Sequence, residues 1–251
     1  MSTQRVPLEA VQKIRQHLKA ALIVPESENY PERYAHQDEP PTPESLEGLG
    51  RLFHFGGSLV EATQMPNRQG QWFISAVNPG STFMKLPGLK LKSGLRLVSY
   101  LYQMDEDGTG ITWAVPEQFS TTSSLEKALL AAGGRDMPPK PEGALTDFMS
   151  AIDGDQSLMS FVIASLLRRE LLEFGKAGRF ATWSDCRLID RLPTSSQSCQ
   201  FFHWQWRTEP PKDFSPKVQM FLDGRVAIEF FTYRATSPIA VFHHIDQYPA
   251  G

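Results

Sequence analysis

The side chains that could carry chemistry in this 251-residue chain lie close to its C-terminal end. The candidate ligand-binding residues are Phe201, His203, Gln205, Glu229, Phe231, Tyr233 and His244. Small-molecule sites are commonly built from aromatic rings with a few convergent polar groups. Histidine, glutamate and tyrosine can also exchange protons with a substrate. The set predicts a ligand-binding surface or, alternatively, an acid–base active site whose candidate residues are His203, Glu229, Tyr233 and His244.

Strand periodicity would bring these residues to a common surface. Residues 199–208, 225–234 and 239–246 alternate as β-strands do, and neighbouring residues on a strand point to opposite faces. Thirteen of the chain's 27 aromatic residues lie in the last 72 positions, which concentrates ring surface on these strands. We expect the more apolar faces, including Trp204, to pack on a helix. The other faces would form the candidate surface or, alternatively, pack on the N-terminal half of the chain.

Metal and nucleophilic chemistry receive little support from residue spacing. His243 and His244 are adjacent, so they cannot both bind one ion on a regular strand, and the sequence contains no HxH, CxxC or HExxH motif. The two cysteines, Cys186 and Cys199, are too few for a disulfide framework. We expect two buried thiols, with a redox or nucleophilic role as the alternative. The sequence predicts no metal and no cofactor.

The elements that position these residues begin with a helix over residues 157–174, which Asp155 or Ser157 is expected to cap. Its first half is apolar nearly all round, and Arg168, Arg169, Glu170 and Glu173 are expected at its solvated end. Five strands are predicted after it, at residues 180–189, 199–208, 217–222, 225–234 and 239–246, and Asp223-Gly224 is a strong hairpin signal. The pattern predicts an α+β fold of antiparallel sheets with the long helix packed on the C-terminal sheet.

The N-terminal half divides into three segments. Residues 1–24 contain an amphipathic helix from residue 7, with Arg15 on its polar side, and residues 25–45 form an acidic, proline-rich linker. Residues 46–134 form an antiparallel region with strands at 51–55, 58–64, 71–77, 95–103 and 111–115. In that region Asp107-Gly108 is expected to supply a hairpin turn, and Ser123 or Ser124 to cap a short helix. Residues 135–143 are the best candidate for a domain boundary, with the C-terminal region at 143–251.

Charge and the pattern of apolar residues argue against several classes of protein. The net charge of −3 argues against a dedicated nucleic-acid binder, which needs a basic surface. The N-terminus has no apolar segment typical of a signal peptide, and no apolar run is long enough to cross a bilayer. We therefore expect a cytoplasmic protein with no transmembrane segment.

Four parts of the C-terminal half carry a family resemblance. They are SFVIASLLRRELLEFG at residues 160–175, WSDC at 183–186, FTYRA at 231–235, and His244 with Asp246 and Tyr248. Together they are similar to conserved cyanobacterial and plastid proteins of unassigned function. The resemblance implies a cyanobacterial or plastid-derived context, and it assigns no role to any residue.

Two functions are consistent with the sequence. The first is a binding or accessory protein without enzymatic activity, whose aromatic C-terminal sheet face holds a hydrophobic small molecule or a protein partner. The second is an enzyme with acid–base residues assembled on the same sheet.

Overall fold

The computed structural model of the chain describes residues 1–23, 69–193 and 204–250 and has an α+β fold. Its described α-helices are α1 (Leu8–Ala21), α2 (Thr122–Leu130) and α3 (Leu158–Glu173). The strands of the N-terminal half and the segment before α3 are β1 (Ser2–Arg5), β2 (Trp72–Ile74), β3 (Leu89–Leu91), β4 (Leu95–Met104), β5 (Asp107–Pro116) and β6 (Ile152–Gly154). The strands after α3 are β7 (Cys186–Ile189), β8 (Lys217–Met220), β9 (Val226–Arg234) and β10 (Ala240–Tyr248).

All the strand pairings of the three sheets are antiparallel. The largest sheet has the order β1-β8-β9-β10, and β7 also pairs with β9. β10 pairs along the whole of β9, so β7 and β8 share the opposite edge of that strand. The smaller sheets are β2-β4-β5 and β3-β6. β9 is therefore the central strand of the C-terminal sheet.

The two predicted hairpins have different outcomes. Between β8 and β9, Gly224 has a φ of +84°, which confirms the Asp223-Gly224 turn. Between β4 and β5, Met104 pairs with Asp107, so the turn is Asp105-Glu106 and Asp105 takes the positive φ of 54°. The prediction of an Asp107-Gly108 turn was wrong. Gly108 is required for another reason, because a Cβ there would lie 2.8 Å from the carbonyl oxygen of Gly175.

Helix ends follow local capping chemistry. The Ser157 hydroxyl accepts a hydrogen bond from the Ser160 amide at 3.2 Å and begins α3, as predicted. α2 is capped by Thr121 instead of Ser123 or Ser124. Residues 204–208 form no regular strand, and 199–203 lie outside the described residues, as do the predicted linker and the predicted strands at 51–55 and 58–64.

One hydrophobic cluster connects the regions on both sides of residues 135–143. It includes Val11 of α1, Leu101 of β4, Leu167 of α3 and Phe230 of β9. α3 lies against the C-terminal sheet, as predicted, and also contacts α1 and β5. Within the described ranges, no helix is both long and apolar enough to cross a membrane.

A buried polar network joins α1, α3 and the segment before β7. The Arg15 Nε lies 2.7 Å from Oε1 of Glu170, and that oxygen also accepts a hydrogen bond from the Trp183 indole at 2.7 Å. Arg15 further donates to the carbonyl oxygens of Trp183 and Cys186. Its guanidinium lies over the Trp183 ring, 4.3 Å from the centroid. The expectation that Arg15 and Glu170 face solvent was wrong, because both side chains are buried.

Glu173 completes this network one helical turn later. Its Oε1 accepts hydrogen bonds from the backbone amides of Trp183 at 2.8 Å and Ser184 at 3.0 Å. The two glutamates therefore fix the chain just before β7, and β7 pairs with the half of β9 that contains Phe231 and Tyr233. Glu173 was expected to be exposed to solvent, and this was also wrong. Its side chain is buried because its carboxylate accepts hydrogen bonds from two backbone amides in the interior.

The network predicts a large effect of removing its cation. Arg15→Met leaves the buried Glu170 carboxylate without its charged partner, and we expect the free energy of unfolding to fall by about 3–5 kcal/mol. Urea unfolding followed by circular dichroism measures this. Lys13→Met, an exposed position on the same helix, should change it by less than about 0.5 kcal/mol. Equal effects of the two substitutions would contradict the network's role.

Candidate functional site

The face of the C-terminal sheet that points away from α3 carries the candidate site, and we call it the outer face. β9 contributes Glu229, Phe231 and Tyr233 to this face, as its alternation predicted. Because directly paired residues share a face, β10 contributes Val241, His243 and Ile245. The inner face carries Val226, Ile228, Phe230 and Thr232 of β9, all of them buried.

The structure brings together only part of the predicted set. Glu229, Phe231 and Tyr233 share the outer face, and Gln205 is exposed beside it. His244 pairs with Phe230 and lies on the inner face, so it cannot join them. Phe201 and His203 lie outside the described residues. His243 takes the position on the outer face that was considered for His244.

Trp204 is also on the opposite side from the one predicted. Its ring contacts Tyr233 on the outer face, with centroids 6.2 Å apart in an edge-to-face arrangement. The prediction was wrong because residues 204–208 are not a strand, so alternation does not govern their side chains. The chain instead passes over the outer face of β9.

Six rings form a continuous aromatic chain on the outer face. Its members, in order of contact, are Tyr233, Trp204, Trp206, Phe214, Phe231 and His243. Both Tyr233 and Phe231 belong to β9, so the series of ring contacts begins on that strand, passes through the segment 204–214 and returns to β9. Its closest contact is the stacked pair of Phe231 and His243, whose centroids lie 4.4 Å apart with an angle of 9° between the planes. Such contacts hold the rings in defined orientations.

An open groove of about 1310 Å³ lies beside this aromatic chain. All its lining residues fall between 204 and 243, and they include four of the six rings: Trp204, Trp206, Phe231 and His243. The floor is the outer face of β9 and β10, and one wall is the segment 204–213. The lining thus combines aromatic surface with polar groups.

Glu229 organises the polar groups on the groove floor. Its Oε1 lies 3.1 Å from Nζ of Lys217 and 3.1 Å from Nε2 of His243, and its Oε2 accepts a hydrogen bond from Gln219 at 3.1 Å. Glu229 and Lys217 are mostly buried, whereas the His243 side chain is 45% exposed. With Nε2 directed to the carboxylate, the other ring nitrogen of His243 has no hydrogen-bond partner among the described residues and can face a ligand.

Cations exceed carboxylates among the remaining lining residues. Arg207, Lys212 and Arg234 line the groove, and none of the three forms an ion pair with any residue in the described part of the chain. Of the lining carboxylates, Asp213 binds Arg5 and Glu229 is shared as above, which leaves Glu209. The groove therefore offers positive charge to a ligand.

On the inner face, His244 occupies a different environment. Its Nε2 lies 2.8 Å from the Thr232 hydroxyl, and its ring stacks on Phe230 with centroids 4.9 Å apart. Burial, reinforced by the positive charge of Arg169, lowers the pKa of His244 to about 4 from its ordinary 6.5. Arg169 itself binds Asp246, with Nη2 and Oδ1 3.1 Å apart, so its expected exposure was wrong as well.

Cysteines and possible metal ligands give no second site in the part of the chain that the structure describes. The Cys186 thiol is buried and donates to the Thr182 carbonyl at 3.3 Å, and burial raises its pKa, which disfavours the reactive thiolate. Cys199 lies outside the described residues. Across residues 1–23, 69–193 and 204–250, no cluster of three or more histidine, cysteine or acidic side chains could hold a metal ion.

Comparisons with known proteins add no family. A scan against protein-family models, a search of curated proteins and a search of solved structures each found no match to this chain. The resemblance to cyanobacterial and plastid proteins stays a prediction. Function is therefore inferred from the groove itself.

Sequence reasoning missed Lys217, His243, Trp206 and the groove cations. A usable signal existed for His243, because alternation separated it correctly from His244. The sequence pattern does not give the register between β9 and β10 across the loop at residues 235–239. That register decides whether His243 or His244 shares a face with Glu229.

The partly buried His244 predicts a loss of stability in mild acid. The unfolded chain binds a proton near pH 6.5 and the folded chain only near pH 4, so the free energy of unfolding should fall as the pH drops through this window. The contribution of this residue should reach about 3 kcal/mol. Urea unfolding between pH 7 and pH 4 measures it, and His244→Gln should flatten the dependence.

The matched control is His243→Gln, on the outer face, which should retain the acid dependence of the wild type. If His244→Gln retained it too, the assigned environment of His244 would be wrong.

Proposed function

We propose that this chain is a binding or accessory protein whose outer-face groove holds a ligand with a flat apolar body and an acidic group. The observation that carries the proposal is the chain of six contacting rings, four of which line the open groove. We place the protein in the cytoplasm, in the cyanobacterial or plastid context that the resemblance implies. The protein partner considered from the sequence would use the same groove.

Ring surface supports the apolar half of this ligand. Trp204 and Trp206 are only half-buried, so their indoles can cover a ligand that lies on the groove floor beside His243, whose side chain is 45% exposed. Aromatic pairs contribute about 0.5–1.5 kcal/mol each beyond the area they bury. Three such contacts contribute roughly 1.5–4.5 kcal/mol. Micromolar binding needs about 8 kcal/mol, so the buried apolar area and the charged groups must supply the rest.

Charge supports the acidic half. Arg207, Lys212 and Arg234 bring positive charge to the groove lining, although Arg234 also donates to the Pro238 carbonyl and lies over the Phe242 ring. Arginine binds carboxylate or phosphate groups with two parallel hydrogen bonds. The volume of about 1310 Å³ is larger than the roughly 300–1,000 Å³ of ordinary small-molecule pockets. A large or elongated ligand fits it better than a metabolite of a few atoms.

The proposal predicts specific binding of a flat anionic probe. 1-Anilinonaphthalene-8-sulfonate should bind the wild type with fluorescence enhancement and energy transfer from tryptophan. Trp204→Ala/Trp206→Ala should weaken its binding at least about tenfold through loss of two ring contacts. Fluorescence titration measures the dissociation constant, with circular dichroism verifying the fold of the variant.

Trp113→Ala is the matched control, because Trp113 is a half-buried tryptophan on β5 outside the groove. It should leave probe binding within about twofold, a difference well under 1 kcal/mol. If both sets of substitutions weakened probe binding equally, or if neither weakened it, the groove would not be the binding site.

The Glu229–His243 pair favours a second candidate function, acid–base catalysis in the same groove. A carboxylate bound to one imidazole nitrogen orients the ring, which leaves the other nitrogen to act as a general base toward water. Here Nε2 of His243 is 3.1 Å from Glu229, while His244, the histidine originally considered, is on the other face.

Hydrolysis of p-nitrophenyl acetate tests this alternative. A catalytic pair predicts a rate above the buffer background that falls at least about tenfold in His243→Gln and in Glu229→Gln. His17→Gln, on α1 and outside the groove, should have no effect. Equal rates in all four proteins would exclude the pair as a catalytic unit for ester hydrolysis.

A further inference from the structure

His243 is held in one orientation on the floor of the groove. Its imidazole stacks on Phe231, with centroids 4.4 Å apart and an angle of 9° between the ring planes. Its Nε2 lies 3.1 Å from Oε1 of Glu229. The stacking fixes the plane of the ring and the hydrogen bond fixes its rotation within that plane. The direction of the remaining nitrogen, Nδ1, is therefore fixed as well.

The contact with Glu229 makes Nδ1 the nitrogen that titrates. An ionised carboxylate only accepts hydrogen bonds, so the nitrogen that faces Glu229 carries a proton whether the ring is neutral or charged. In the neutral ring Nδ1 then presents a lone pair, and in the charged ring it presents an N–H group. An anionic ligand atom beside Nδ1 is repelled by the first form and receives a hydrogen bond from the second.

The charges around His243 leave room for one further negative charge. Glu229 is also bound to Lys217, whose Nζ lies 3.1 Å from the same Oε1. When the imidazole takes up a proton, this one carboxylate faces two cations, and the three side chains carry a net positive charge. A ligand anion beside Nδ1 balances that charge. Glu229 and Lys217 are mostly buried, which strengthens their interaction with a neighbouring charge.

The other groups around His243 keep their charge near neutral pH. On the outer face of β10 its neighbours are Val241 and Ile245, which do not titrate. His244 lies on the inner face, and its pKa of about 4 keeps it neutral above pH 6. The remaining ionisable residues on the outer face and in the groove lining are Tyr233, Arg207, Glu209, Lys212, Asp213 and Arg234. Histidine is the residue type that ordinarily changes charge between pH 5 and 8, so His243 is the group that responds.

We propose that His243 selects an anionic ligand for the groove and takes up a proton when that ligand binds. The inference rests on the proposed binding function and adds the residue that recognises the ligand's charge. By linkage, a ligand that favours the protonated imidazole binds more tightly as the pH falls through the range in which histidine titrates. A neutral ligand of the same shape gains nothing from this proton, so its affinity should not depend on pH.

Two probes that differ by one charged group test this inference. 1-Anilinonaphthalene-8-sulfonate is anionic, and N-phenyl-1-naphthylamine has the same ring system without the sulfonate. From pH 8 to pH 6, the dissociation constant of the sulfonate should fall at least about fivefold. That of the neutral probe should stay within about twofold. Calorimetry of sulfonate binding near pH 7, in buffers of different ionisation enthalpy, should show net uptake of protons by the protein.

His243→Gln keeps a polar side chain at this position but cannot take up the proton. It should remove both the pH dependence and the proton uptake, and circular dichroism verifies that it stays folded from pH 8 to pH 6. His17→Gln is the matched control, because this histidine belongs to α1 and lies outside the groove. It should bind both probes as the wild type does.

The binding function and the role of His243 fail in different ways. If the wild type binds neither probe, the proposed function is wrong, and the role of His243 with it. If the two probes bind with the same pH dependence, or if His243→Gln retains the dependence of the wild type, the groove binds ligands but His243 does not select their charge.

Discussion

The buried ion pair between Arg15 and Glu170 is the constraint on which the other elements depend. Neither charge is stable in the interior alone, so α1 and α3 must come together for either to be buried. Trp183 hydrogen-bonds both charged residues and directs the chain into β7, which pairs with the part of β9 that holds Phe231 and Tyr233. A polar contact on the inner face thereby fixes the strand that forms the floor of the groove.

Elements that depend on local chemistry were predictable from the sequence. The capping serine of α3, the Asp223-Gly224 turn and the alternation of β9 all follow from neighbouring residues, and the structure confirms them. Contacts distant in sequence were not predictable. Arg15 and Glu170 are polar residues at helix positions that are usually solvated, and only their mutual approach makes burial favourable. β1 was missed because its four exposed residues carry no alternation.

The residues of the candidate site also fall into those that local alternation predicts and those that depend on contacts distant in sequence. Glu229, Phe231 and Tyr233 share a face because side chains alternate along one strand, so one strand sufficed to group them. Choosing between His243 and His244 required the pairing of two strands, and placing Trp204 required the path of an irregular segment. Neither is encoded in local periodicity. The groove cations were missed for the same reason, since Arg207 and Lys212 belong to that segment.

Native mass spectrometry shows whether the outer-face groove holds a ligand. The full chain, purified gently from the cells in which it occurs, is compared with Trp204→Ala/Trp206→Ala prepared in the same way. Ligand binding in the groove predicts an additional small-molecule mass on the wild type that the double variant has lost. A bare wild-type chain, or the same retained mass on both proteins, would contradict it.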